Sequence, residues 1–120
     1  MKRITFLLLL ISIFISAQKK KYNLLSEDIY KRKMYYSYDK KTDDGFYSWM
    51  KIENTEEQDP STESTEIYVE FKCTDETMSE EIIIINWRGQ NAETLNKKSP
   101  FVEIPQNHPS QKLINIYCKK

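Results

Sequence analysis

Apolar and polar positions alternate over much of this chain, mostly with the period of strands. Residues 33–39 and 46–53 are aromatic-rich runs separated by Thr42, Asp43, Asp44 and Gly45. Asp-Asp-Gly suits a type I turn followed by Gly45 in the left-handed region, which predicts a hairpin with a bulge at the glycine. A three-residue loop puts Met34, Tyr36 and Tyr38 on one face with Phe46, Met50 and Ile52, and that register creates an apolar face. Tyr35 and Trp49 then share the opposite face. Residues 66–74 alternate again, with Ile67, Val69, Phe71 and Cys73 in phase. Residues 75–79 read as a turn. Residues 82–87, Ile-Ile-Ile-Ile-Asn-Trp, are apolar in both phases, the pattern of a strand covered on both sides. Glu80, Glu81 and Arg88 flank that run as charged guards against aggregation.

The remaining segments are weaker. Residues 54–65 form a polar, acidic loop around Pro60, and residues 88–91 turn the chain. Residues 92–98 read as one helical turn or a loop. Residues 101–104, between Pro100 and Pro105, suit a short edge strand. After a loop at 105–110, residues 111–118 read as the closing strand, with Ile114, Ile116 and Cys118 in phase. Residues 22–32 leave two options: Ser26 caps a helix over Glu27 and Asp28, or residues 29–38 form one long strand. Together these elements predict an all-β fold with room for one short N-terminal helix. About six strands in an antiparallel meander would form a small sandwich or barrel.

The N-terminus has a different pattern. Lys2 and Arg3 precede an apolar run at residues 4–15, broken only by Thr5 and Ser12, and Ser16-Ala17 leads into a polar shift. This is the layout of a secretory signal peptide at residues 1–17, cleaved after Ala17. The run is shorter than the roughly 20 residues that span a membrane, so the expected membrane contact is the cleaved segment alone. Residues 18–120 then form one exported domain, periplasmic or extracellular.

Cysteine usage fits that compartment. Cys73 and Cys118 are the chain's 2 cysteines, and an even count in an oxidising environment predicts a disulfide. If both lie on strands as read above, both sulfurs face one core.

Composition narrows the function classes. The 120 residues carry 18 Lys+Arg against 18 Asp+Glu, with only 2 Gly. That excludes a strongly basic nucleic-acid binder and leaves little room for a glycine-rich phosphate loop. The charges are segregated: residues 42–81 hold 2 basic and 13 acidic groups, a net −11, between basic flanks. No cofactor is implied, and a zinc site needs more Cys or His than the chain owns. His108, the 1 histidine, lies between Asn107 and Pro109 without an orienting acid nearby. No nucleophile elbow is present. Tyr35 and Trp49 on a common strand face are the candidate binding surface. The expectation is therefore a small, exported, non-catalytic binding or accessory protein of the cell envelope, contacting a protein or glycan. The alternative is a small secreted hydrolase of polysaccharide or cell-wall material working through paired carboxylates.

Overall fold

The computed structural model describes residues 20–28 and 32–118. The signal peptide expected at residues 1–17, the cleavage expected after Ala17 and residues 29–31 of the alternative long strand lie outside these residues. Seven strands form one sheet: β1 (Asn23–Glu27), β2 (Lys33–Lys41), β3 (Gly45–Glu53), β4 (Thr62–Lys72), β5 (Thr77–Trp87), β6 (Glu93–Asn96) and β7 (Val102–Glu103). Strands β1 to β6 follow one another in sequence order, and every pairing is antiparallel. The short β7 shares the outer edge of β5 with β6, pairing at Thr77 and Met78. Among the described residues one helix, α1 (Ser110–Tyr117), follows the last strand.

The expected meander is therefore present, and so is the hairpin register, with Met34 opposite Ile52 and Tyr36 opposite Met50. Its turn differs in detail. Gly45 is not among the residues with positive φ, and the bulge falls in β2, where Asp39 is the additional residue between Tyr38 and Lys40. The glycine serves another purpose, since a Cβ there would lie 1.8 Å from the Phe71 carbonyl oxygen. Close approach of two backbones, not a left-handed conformation, demands the missing side chain.

The layer over the sheet is a helix where a strand was expected. Residues 111–118 satisfy both periods. Ile114, Ile116 and Cys118 are in phase as a strand, while Leu113, Ile114, Tyr117 and Cys118 line one helical face. Pro109 precedes the helix with φ −55, a value that ring closure favours and that helix entry needs. Leu113 is 0% and Ile114 5% exposed, whereas Ile116 is 54% exposed. So the domain closes as one sheet packed on one helix, without a second sheet or a barrel seam among the described residues.

The core lies under that helix. Phe46 and Phe71 stack with centroids 4.8 Å apart, and Tyr117 packs against Phe46 at 5.1 Å. Val69, Met50, Leu25 and Ile104 complete the buried set. Lys112 of the helix donates to the Leu25 carbonyl at 3.1 Å, and Gln111 to that of Ile104 at 3.3 Å. A disulfide joins Cys73, just after β4, to Cys118 at the helix end, with Cα atoms 5.5 Å apart. The expected pairing is present, reached from a helix end and not from a strand.

Other expectations shift as well. Ser26 lies in β1, not in a helix cap. The proposed turn at 75–79 is mostly strand, because β5 begins at Thr77; within it Glu76 takes a positive φ, 52°. Thr77 and Met78 gain ladder partners from both β4 and β7, which extends the strand. The segment expected to be a helical turn or loop contains β6, paired to Ile82–Ile85. Those isoleucines are half-buried rather than enclosed, because α1 spans only eight residues and leaves the β5 end of the sheet lightly covered.

Candidate functional site

The face away from the helix is built by the other phase of the same strands. Pairing places Ser37, Trp49, Tyr68, Ile82 and Asn96 in one row across the sheet. The adjacent row holds Tyr35, Lys51, Glu66, Ile84 and Thr94. Tyr35 and Trp49 are thus brought to a common face, in neighbouring rows, and both are half-buried. Trp49 sits against Tyr68 at 4.9 Å, and Tyr68 stacks nearly parallel on Tyr47, also at 4.9 Å with 7° between ring planes. Tyr47 and Tyr68 were not singled out from the sequence. Their signal was available: each is in phase with the polar positions of an otherwise apolar-facing strand.

Carboxylates border these rings. Tyr35 donates to Glu53 at 3.2 Å, Tyr22 to Glu66 at 2.8 Å, and Tyr68 to Asp39. The Tyr47 hydroxyl lies 3.1 Å from Glu70 and 3.2 Å from Glu81. Glu81 reaches this face because the β4–β5 register shifts between Tyr68 and Val69, leaving it as the additional residue of β5. Burial, with the adjoining carboxylates, pushes the Tyr47 phenol up to about 12. Burial and the neighbouring acids likewise raise Tyr22, Tyr35 and Tyr68 above the ordinary phenol value.

Lysines complete the array. Lys98 bridges Glu70 at 3.0 Å and Glu81 at 3.1 Å, and those two hydrogen bonds raise its pKa, Glu70 first. Lys20, in the segment before β1, lies 3.2 Å from Glu66 and 3.7 Å above the Trp49 ring. Burial alone would raise Glu66. Hydrogen bonds from Asn86 and Tyr22 and the Lys20 ammonium outweigh it, so the carboxyl lies below its ordinary value.

His108 is remote from this array. Its Nδ1 accepts the Ser110 N–H at 3.1 Å, satisfying an otherwise open amide at the helix start. Burial lowers its pKa from the ordinary 6.5. Among the described residues no group of three His, Cys, Asp or Glu side chains is set to hold a metal ion.

What the aromatic face can do follows from its parts. Flat rings supply contact area with few rotors to order, and their negative faces beside carboxylates favour cations. Glu70 and Glu81 converge on one phenol and one ammonium, on a sheet face. Compared with known proteins, the chain matches no family model, no curated protein and no solved structure.

Proposed function

We propose that this chain is an exported, non-catalytic binding or accessory protein of the cell envelope. It contacts a protein or glycan partner through the aromatic face that contains Tyr35 and Trp49. The observation that carries the reading is the Trp49–Tyr68–Tyr47 stack on the sheet face opposite the helix. Rings outside the core contribute little to packing under α1 and much to an interface. The Cys73–Cys118 bridge supports an oxidising compartment, as does the leader-like pattern of residues 1–17.

The test uses the mature protein as bait in envelope extract. A double substitution, Tyr35→Ser with Trp49→Ala, is expected to lose at least about tenfold of the retained partner while the fold persists, the cost of removing an aromatic anchor. Equal retention by wild type and variant ends the reading. The same preparation checks export, because mass spectrometry of the native product should find Gln18 at the N-terminus. A product that begins at Met1 contradicts it.

The convergence of Glu70 and Glu81 on Tyr47 favours a second reading, a secreted hydrolase of polysaccharide or cell-wall material using paired carboxylates. Release of reducing sugar that vanishes in Glu70→Gln would establish it in place of the first.

A further inference from the structure

An indole ring presents its negative face to a cation, and a carboxylate beside the ring completes a site for an ammonium group. Trp49 and Glu66 form such a pair, and the chain's own Lys20 occupies it, 3.7 Å from the ring centroid and 3.2 Å from Oε1 of Glu66. Resting on the reading of this face as a contact surface, we infer that Trp49 and Glu66 are a seat for a primary ammonium group. Lys20 fills the seat in the free protein, and the partner is a lysine-bearing peptide segment that displaces it.

Three features favour exchange at this seat. Lys20 belongs to residues 20–22, which precede β1 and make no strand pairing, so releasing it leaves the ladder intact. Glu66 is held from the other side as well: Nδ2 of Asn86 donates to its Oε2 at 3.1 Å, while Lys20 and Tyr22 use Oε1. The carboxylate therefore stays aimed when the arm leaves, and the ring stays fixed by its contact with Tyr68. Finally, the surroundings suit further positive charge. Glu56, Glu57 and Glu63 are exposed beside the Glu53–Ser64 end of the β3–β4 pair, and Lys51, the cross-strand neighbour of Glu66, is itself bridged to Glu53 at 3.5 Å. Such a field speeds the approach of a cationic segment.

A neutral sugar fits less well. It can stack on Trp49 only by removing the ammonium, and it brings no cation to leave beside Glu66. An anionic membrane surface is repelled by the same acids.

The test follows the Trp49 indole N–H resonance, assigned with Trp49→Phe, during titration of the disulfide-bonded protein. The probes are a lysine-rich hexapeptide, the same peptide with every side-chain amine acetylated, and a neutral oligosaccharide. The lysine peptide is expected to shift the resonance, more weakly at high salt, and the acetylated peptide to leave it in place. Removing the internal competitor with Lys20→Ala should tighten the peptide at least about fivefold, because the competent state is no longer masked. Glu66→Gln should weaken it at least about tenfold, through loss of the charge-assisted bond. Lys20→Ala touches no core residue, so it keeps the test decisive should Glu66→Gln unfold. Equal binding of acetylated and free peptide, an unchanged affinity in Lys20→Ala, or no shift at all overturns the ammonium seat. A shift with the oligosaccharide alone also overturns it yet leaves the contact surface standing, whereas failure of the envelope capture experiment removes that surface itself.

Discussion

At the scale of single residues, Gly45 and His108 each do something their sequence neighbourhood conceals. Gly45 follows two aspartates as a turn glycine should, yet its essential property is the space it leaves for the Phe71 carbonyl. Gly45→Ala should therefore separate the ends of β3 and β4 and cost about 2–3 kcal/mol, the upper range for a single substitution. A denaturation midpoint equal to wild type would contradict this. His108 sits as a neutral acceptor for the Ser110 amide, with its pKa lowered from 6.5 by burial. A depressed histidine contributes stability that is complete above the unfolded value and is lost as pH falls below it. Unfolding free energy should thus begin to decline below about pH 6.5. In His108→Asn, which retains a side-chain acceptor, that part of the decline should disappear. The lowered Glu66 acts in the same direction but only below its own ordinary value of 4.5, so the two windows separate in a pH titration of stability.

Among the elements, α1 decides the architecture. Its sequence supports a strand and a helix about equally by period, and the outcome is readable in two side chains. Leu113→Ala removes a fully buried residue and should cost about 2–5 kcal/mol. Ile116→Ala removes an exposed one and should fall within about 0.5 kcal/mol of wild type. A strand at 111–118 with Ile116 in the core would reverse the order, and urea melts of the two variants distinguish them. The β2–β3 hairpin behaves oppositely: two long alternating runs admit one register with an apolar face, and the structure adopts it. Bulges are less legible. Asp39 and Glu81 reach the aromatic face through register shifts that no local pattern announces, whereas Glu70 arrives opposite Tyr47 by plain alternation, as Tyr35 and Trp49 arrive on their common face.

For the whole molecule, the disulfide ties the last element to the middle of the chain. Cys73 and Cys118 enclose a sequence separation of 45, for which chain entropy alone gives about 4 kcal/mol. The bridge also keeps α1 over Phe46 and Phe71, so reduction should lower the thermal midpoint and expose Tyr117 to solvent. Cys73→Ser should destabilise by a few kcal/mol, and the intact mass of the native protein should lie two hydrogens below the reduced value. Full alkylation of both thiols without a reductant would refute the bridge in the native protein. Functionally, the division of the sheet into a helix-covered face and an aromatic, acid-bordered face is a whole-molecule property, because each face collects residues from at least four strands.

The sequence by itself determined the antiparallel meander, the hairpin register, the cysteine pair and the two phases of β2, β3 and the second half of β4. These rest on local alternation, which survives in any tertiary arrangement. Only the tertiary structure decided what covers the sheet. A run that satisfies two periods takes the one whose apolar side chains find partners, and Leu113, Ile114 and Tyr117 find them on Phe46 and Phe71 as a helix. The composition of the aromatic face was likewise a matter of three dimensions. Lys20 lies 46 residues from Glu66, and their meeting over Trp49 depends on a chain path that no spacing rule encodes.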